Sequence, residues 1–398
     1  MRKSERILFL TVLLPLGRVI SSMQCSIPVP SQREIWDHKS PWHENTHISQ
    51  PVRIGSFEKK EGRLSRPGKC RKYRADTPRT VPGRDLNVGL EKYVPKKNDG
   101  DSLGLLRHIW ESRPSDANPV HFCTYRNNLN KLMGTPFDNG SGGGWKMGVR
   151  KRNGVIFLDV REVQKQQTTQ QSRQPTPEQQ KRFEYFGYKF EQMCCGEADD
   201  DIVDANVEYC GVFETRFQQH RILIAAELDC CERPDAPIPQ DLGAVELKTS
   251  RVIEAQRQER SFERYKLLKF WIQSFLVNTP TIVVGFRDDN GIVKTVDTFQ
   301  TRRLPRIGFE KKLWSANTCL RFATLVLSAL SKNVEEGPSY ILEYAAPFKN
   351  VSLRKNTDES EAVDLSFLDH DKPRNSGNST PTIGRKRPRE TSSDPTTS

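Results

Sequence analysis

Two phrases, Glu227-Leu228-Asp229 and Glu246-Leu247-Lys248, are separated by sixteen residues, and each closes an apolar run. On a strand, residues i and i+2 point to one face. If both phrases are strand ends, Glu227, Asp229, Glu246 and Lys248 share a surface, with Leu228 and Leu247 packed behind it. Three carboxylates and an ammonium gathered in this way suit a phosphodiester hydrolase that depends on Mg2+ or Mn2+. Carboxylate oxygens hold hard cations. The cations steady the attacking and leaving oxygens, and a lysine orients or deprotonates a water.

Taken alone, a Glu-x-Asp on a strand is more often a solvated face than a metal site. The setting changes that balance. Ile222-Leu223-Ile224-Ala225-Ala226 runs straight into Glu227, and Gly243-Ala244-Val245 into Glu246. Continuous apolar runs mark strands covered on both faces. A carboxylate abutting such a strand is costly unless a charge compensates it, and a divalent cation would do so.

The elements that must present these groups follow from periodicity and turn signals. A helix is expected over Ser102 to Trp110, with Leu103, Leu106 and Trp110 on one face. Val120 to Tyr125 reads as a strand, and Asn128 to Met133 as a helical turn closed by Gly134 and Pro136. Trp145 to Val149 and Val155 to Val160 form a hairpin around Lys151-Arg152-Asn153-Gly154. A helix runs from about Pro177 to Met193. Strands at 208–217, 221–229 and 243–249 precede a long helix over about 251–276. Strands at 280–287 and 292–299, a helix over 315–331 and a strand from Tyr340 to Tyr344 complete the block.

Strands, then a helix, then strands predict an α/β (α+β) fold, a mixed central sheet flanked by helices. One catalytic domain is expected over 51–350, interrupted by a glutamine-rich low-complexity insertion at 164–180. Residues 1–50 read as a flexible leader and 351–398 as a disordered basic tail. From Arg53 to Lys97 the abundance of Arg, Lys, Pro and Gly predicts an irregular arm laid over the sheet.

Bulk properties narrow the class. The 398 residues are enough for a substantial core, while 35% hydrophobic content and a mean hydropathy of -0.69 imply polar segments outside it. A formal charge of +12 favours a polyanionic partner, with nucleic acid the first candidate. Nine cysteines include the adjacent pairs Cys194-Cys195 and Cys230-Cys231 but no matched Cys-x2-Cys pairs, which argues against structural zinc. Their irregular spacing fits reduced thiols.

Residues 7–17, preceded by Arg2, Lys3 and Arg6, resemble a signal-peptide core but are too short to span a bilayer, and no membrane is expected. Asn139, Asn350 and Asn378 would be glycosylation acceptors on a secretory route. Gly384-Arg385-Lys386-Arg387-Pro388-Arg389 is a basic cluster of nuclear-import type, and Met23 is an alternative start that would delete the apolar stretch. The nucleus is the expected location, with the cytoplasm second.

Six phrases in order carry a family resemblance. They are Tyr125-Arg126, Gly187-Tyr188-Lys189-Phe190-Glu191, Glu227-Leu228-Asp229, Glu246-Leu247-Lys248-Thr249-Ser250, the run from Lys266 to Leu276, and Gly285-Phe286-Arg287. Together they resemble the DXO decapping-exoribonuclease family, which includes the fungal partners of the nuclear 5′–3′ exoribonuclease, over about residues 55 to 345. The resemblance implies a PD-(D/E)xK nuclease fold. It also implies removal of triphosphates and of incomplete, whole or NAD caps from RNA 5′ ends in quality control, followed in many members by 5′–3′ degradation. RNA 5′ ends and a nuclear 5′–3′ exoribonuclease are the implied partners.

Residue roles follow motif by motif from the same resemblance, which implies two divalent cations, Mg2+ or Mn2+. Glu191 should reach one of them from its helix, Asp229 should bridge both, and Glu246 should ligate the other with the carbonyl of Leu247. Glu227 should ligate through water or position substrate, and Lys248 should orient the attacking water. Tyr125, Arg126 and Asn127 are placed at the substrate, with Arg126 gripping the 5′-terminal phosphates. Gln273 and Cys210 should line the RNA path, and Arg63 is a further phosphate contact.

Two departures bear on substrate choice. Glu214 puts an acid near the expected RNA path, and Lys96 to Asp101 has no clear counterpart to an acidic substrate contact of relatives. Competing readings are a non-catalytic RNA-binding or exonuclease-partner scaffold of the same fold and a DNA nuclease. The presence of all four acids and the lysine favours the enzyme.

Overall fold

Fourteen strands and nine α-helices form among the described residues. In the computed structural model these are 23–60, 63–65, 68–97, 102–113, 119–138, 140, 143–161 and 176–369, with Met23, Gln24, Arg63, Ser102, Leu103 and Glu359 described for their backbone alone. The first part of the chain comprises β1 (Met23–Pro28), α1 (Gln32–Trp36), β2 (Val52–Lys60), β3 (Arg63–Ser65), α2 (Thr77–Thr80), α3 (Ser102–Glu111), β4 (Phe122–Tyr125) and α4 (Arg126–Gly134). The middle comprises β5 (Trp145–Arg152), β6 (Val155–Arg161), α5 (Pro177–Cys195), β7 (Glu208–Phe217), β8 (His220–Glu227), β9 (Cys230–Cys231) and β10 (Ala244–Arg251). After it come α6 (Gln256–Ser261), α7 (Leu267–Phe275), β11 (Thr281–Arg287), β12 (Val293–Gln300), α8 (Leu304–Glu310), α9 (Ala316–Asn333), β13 (Ser339–Tyr344) and β14 (Asn350–Lys355).

A ten-stranded mixed sheet runs β1-β14-β13-β5-β6-β4-β8-β7-β2-β3, parallel where β4 meets β6 and β8. A four-stranded sheet runs β12-β11-β10-β9, parallel where β10 meets β11. The mixed sheet flanked by helices is the expected architecture, with the second sheet as an addition. Ile222 through Ala226 on β8 are fully buried, as a strand covered on both faces requires. The β5–β6 hairpin turns at Asn153 and Gly154, both with positive φ, the backbone of a tight right-twisting turn. No helix among the described residues is long and apolar enough to cross a membrane.

Helix α5 shows how local chemistry fixes an element. Thr176 caps it, accepting from Gln179 N–H while the Gln179 side chain accepts from Thr176 N–H. Pro177 opens the first turn, and Gly196, at φ 74°, closes the last. The residues between bury Tyr185, Phe186, Phe190 and Met193 against the four-stranded sheet. Glu191 follows Phe190 and is thereby aimed at the sheet seam.

Several expectations need correction. The leader expected over 1–50 contains β1, which pairs with β14. Ile27, the buried apolar residue among the described side chains of β1, gives almost no periodic signal. The tail expected from 351 is ordered at its start, because Val351 and Leu353 alternate inward on β14 and Ser352 and Arg354 do not. The arm from Arg53 is not irregular at first. β2 pairs with β7 along most of its length, and its buried Arg53 donates to the carbonyls of Ala236 (2.6 Å) and Gln240 (3.2 Å). The long helix begins at Gln256 and carries a π-turn at Phe262–Lys266 before α7, a feature that re-aims the following turn.

Residues 365–398 form a separate unit, of which 365–369 are described, with a 3-10 turn at Ser366–Asp369. Residues 7–17, the insertion up to Pro175 and the cluster at 384–389 lie outside the described residues.

Gly285 on β11 locks α5 in place. A Cβ there would stand 2.4 Å from Cε2 of Phe190, a fully buried ring. Gly285→Ala should therefore cost about 1–3 kcal/mol through overpacking, read as a lower urea midpoint with an unchanged slope. A neutral midpoint would show that the helix is not seated on this contact.

Candidate active site

Three chain crossings meet at one seam. Parallel β4 and β8 end side by side, with Tyr125 opposite Ala225. The chain leaves β4 directly into α4, so Arg126 opens a helix at the carboxyl edge of the strands, where α/β folds place their ligands. From β8 the chain passes through Leu228 and Asp229 into β9, which pairs with β10 and so joins the two sheets. Glu246 and Lys248 face this junction from β10, and α5 brings Glu191 over it.

Glu246 and Asp229 converge as the i, i+2 reading requires. Lys248 Nζ lies 2.5 Å from Glu246 Oε1 and 3.5 Å from Asp229 Oδ2. The Leu247 N–H donates to Asp229 Oδ2 at 2.6 Å. Arg126 Nη1 lies 3.3 Å from Glu246 Oε2 and donates to the carbonyl of Gln273 at 3.3 Å, tying α4 to α7. Arg71 Nη2 donates to Glu191 Oε2 at 2.7 Å, and its Nε to the Asp229 carbonyl at 3.2 Å. Lys96 pairs with Glu208 and stands 4.0 Å from Glu227 Oε2.

Burial and mutual repulsion strain the acids. Burial, then the charge of Asp229, push Glu191 up to about 8 against the pull of Arg71. Burial and Glu208 push Glu227 up to about 7. Asp229 is raised, again chiefly by burial. Burial acts upward on Glu246 too, but Lys248 and Arg126 outweigh it and hold that carboxyl below its usual range.

As the side chains lie, each acid is drawn to a neighbouring cation, and among the described residues no three acidic, histidine or cysteine groups are gathered closely enough to hold an ion. The donor set nevertheless suits a hard cation. It is all oxygen, it contains two carboxyls poised to lose protons near neutrality, and buried Glu246 Oε1 receives no well-directed hydrogen bond.

The substrate residues divide. Asn127 and Gln273 line a cleft of about 670 Å³ between α4 and α7, with Lys131, Lys269 and Tyr265. Cys210, opposite Glu227 on β7, is fully buried with its thiol 3.6 Å from the Tyr125 hydroxyl, and so lines no open path. Arg126 is buried and turned to Glu246. The Arg63 side chain lies outside the described residues. Glu214 is neutralised by Arg221. It stands four residues along β7 from Cys210, roughly 13 Å away, so it does not intrude on the acid cluster.

Sequence reasoning missed three groups. Glu208 was legible, since it sits two residues before Cys210 and so shares its face. Arg71 and Lys96 lie in irregular chain, where no period marks them. Lys96 is held because Asn206 accepts from the Lys97 N–H (2.8 Å) and donates to the Pro95 carbonyl (3.1 Å).

Comparison with known proteins gives a consistent result. Residues 49–370 match the family described as RAI1-like PD-(D/E)XK nuclease. The chain is 30% identical to the decapping and exoribonuclease protein of Xenopus laevis over 344 residues, covering 79% of this chain and 84% of the relative. It is 32% identical to the decapping nuclease RAI1 of Neurospora crassa over 277 residues, covering 63% and 66%. Among solved structures, Candida albicans Rai1 in complex with pU5 and Mn2+ superposes with a TM-score of 0.71 at 25% identity, covering 81% of this chain and 93% of that one.

Arg126 is 10% exposed at its side chain and Glu246 1%. Removing one member of such a pair strands a buried charge, at a cost of about 3–5 kcal/mol. Because Lys248 remains beside Glu246, Arg126→Ala should fall near the lower end, about 3 kcal/mol, by chemical denaturation, with Arg126→Lys recovering part. An unchanged midpoint would mean that Lys248 alone balances the acid.

Proposed function

This chain belongs to the RAI1-like PD-(D/E)XK nuclease family, and from that premise we propose that it is a metal-dependent hydrolase of RNA 5′ ends. It removes triphosphates and incomplete or non-standard caps, and it continues as a 5′–3′ exoribonuclease in RNA quality control. The observation that carries this reading is the convergence of Asp229, on the link between the two sheets, and Glu246, on β10, at Lys248. The pU5 and Mn2+ of the Candida albicans relative support single-stranded RNA and a divalent cation here.

Glu191, Asp229, Glu246 and the carbonyl of Leu247 would hold two divalent ions, Mg2+ or Mn2+, with Glu227 acting through water or on the substrate. Bound there, such ions supply charge stabilisation at the scissile phosphate and a more acidic water. Lys248, released from its carboxylates, is the donor that orients the attacking water. Arg126, once turned from Glu246, would offer a planar fork to the 5′-terminal phosphate. Lys131 and Lys269 attract the following phosphodiesters into the cleft, and Tyr265 offers a stacking face for a base. The basic run at 384–389 supports action in the nucleus, and the family resemblance supports a larger 5′–3′ exoribonuclease as partner.

A product-resolved digestion over 5′-monophosphate, triphosphate, capped and NAD-capped RNAs with Mg2+ or Mn2+ tests this. Asp229→Ala and Glu246→Ala should each abolish hydrolysis while sparing RNA binding. Turnover in both variants refutes the assignment, and an absence of product from the unaltered chain with either metal leaves the scaffold.

Cation binding must expel the protons held by Glu191 and Glu227 below about 8 and about 7. Both carboxyls are raised above their unfolded values, so their contribution to stability is full below about 4.5 and is lost as pH rises through 7 to 8. Mn2+ should therefore raise the melting temperature more at about pH 8.5 than at about pH 6.5, with proton release seen by calorimetry in two buffers. A larger shift at the lower pH contradicts this arrangement.

A further inference from the structure

Beyond the cleft lies an aromatic cluster to which the hydrolase reading gives no role. Trp36 on α1, His43 in the turn that follows and Phe309 on α8 meet with ring centroids 6.0, 5.8 and 5.4 Å apart, His43 edge-on to Phe309. Phe309 is 49% exposed and the other two rings are half-buried. Single exposed apolar side chains are ordinary, whereas clustered rings facing water mark a binding surface. Trp36 and His43 also precede residues 49–370, the stretch that matches the family.

Both walls of the cleft lead to this cluster. Along α4 the lining runs from Asn127 to Gly134, about 10 Å of helix away from the seam, and on to Thr135 and Phe137 of a 3-10 turn. Gln32 joins that turn to α1. Its Nε2 donates to the Pro136 carbonyl at 3.3 Å, and its Oε1 accepts from Trp36 Nε1 at 3.3 Å. The other wall is α7, whose Trp271 stacks on Trp314 at 5.5 Å. Trp314 covers Gly308 so closely that a Cβ there would stand 2.4 Å from its Cε2, and Phe309 is the next residue. The rings sit where the extensions of the two walls meet.

Charge around the rings is mostly of one sign. Residues 301–312 carry five cations, Arg302, Arg303, Arg306, Lys311 and Lys312, against one acid, Glu310. Glu310 is held by Arg306 at 2.7 Å, and Lys311 is paired with Glu263. Arg302, Arg303, Lys312 and, on α1, Arg33 are exposed and have no carboxylate partner among the described residues. The acids nearby are engaged. Glu34 accepts from the Ser31 N–H at 2.7 Å, Asp37 from the Lys39 N–H at 2.9 Å, and Glu44 from Arg321 at 2.9 Å. Helical spacing sets Arg33 beside Trp36 and Arg306 beside Phe309.

We propose that Trp36, His43 and Phe309 form a stacking platform for single-stranded RNA leaving the cleft, a second binding site that holds the body of the substrate. The chemistry is that of sequence-tolerant single-strand binding. Every base offers a π-face to a ring, and the surrounding guanidinium and ammonium groups take the phosphodiesters. A duplex hides those faces, so the platform selects unpaired strands. It rests on the reading of the cleft as an RNA path and lengthens that path without touching the acids.

Binding to full-length protein in EDTA is read by fluorescence anisotropy, with 5′-monophosphorylated, 3′-labelled oligouridylates of about 4 and about 16 nucleotides. The longer strand should bind more tightly. Phe309→Ala and Trp36→Ala should each weaken it about fivefold or more, as loss of one stacked base requires, and leave the shorter strand unchanged. Where the Trp36 variant does not fold, exposed Phe309 carries the test. Phe309→Tyr should keep the affinity and Phe309→Leu should lose it, a split that simple apolar packing would not produce. Arg302→Ala should lower the slope of log affinity against log salt by about 0.7 for the longer strand alone. Equal affinity for both lengths, ring variants without effect on the longer strand, or equal losses on both lengths in the Phe309 variants overturn the proposal. So does undiminished affinity when the body of the longer strand is annealed to its complement. Catalysis plays no part in EDTA. Failure to hydrolyse RNA with Mg2+ or Mn2+ counts against the hydrolase reading, and the length dependence decides the platform.

Discussion

Negative charge crowded into a buried seam is the constraint on which the rest of the structure depends. Glu191, Glu227, Asp229, Glu246 and Glu208 approach one another where water is scarce, and each would be costly there without a counter-charge. Lys248, Arg126, Arg71 and Lys96 supply it, one from each of four different parts of the chain. These cations fix the seam because each ties an acid to a distant element. Arg126 joins β10 to α4 and α7, and Arg71 joins α5 to the crossing between sheets.

The topology explains why the acids can meet at all. Glu227 ends a strand of the large sheet and Glu246 sits on a strand of the small one, with β9 as the short splice between them. Leu247 and Leu228 turn into the packed interior, so the alternation that buries them exposes their neighbours to the seam. Helix α5 contributes by packing. Its aromatic face lies against the small sheet, and the approach of Phe190 to Gly285 sets how close Glu191 can come.

What was legible in the sequence was whatever a local period could encode. Ile222 to Ala226, the α5 face and the β5–β6 turn all announce themselves within a few residues, and the observed elements lie close to their expected bounds. Glu246 and Lys248 were legible for the same reason. What could not be read depends on distant partners. β2 carries buried Arg53 and Lys59, tolerable only because of its tertiary setting. Arg71 and Lys96 occupy irregular chain whose position is fixed by backbone bonds to Cys231 and to Asn206. Family resemblance supplied roles for Cys210 and Arg126, but not that one is sealed beneath Tyr125 and the other turned inward to Glu246.

The edge of the large sheet has a consequence for biosynthesis. β1 finds its partner in β14, with Ile27 beside Val351, so more than three hundred residues must be made before that hydrogen-bonded ladder can form. Until then β1 is an unpaired strand on a nascent chain, the kind of segment that other chains can capture. Closing so long a loop is slow, although its entropic cost grows only gently with length. Completion of this edge therefore waits until β14 itself has been made and released from the ribosome.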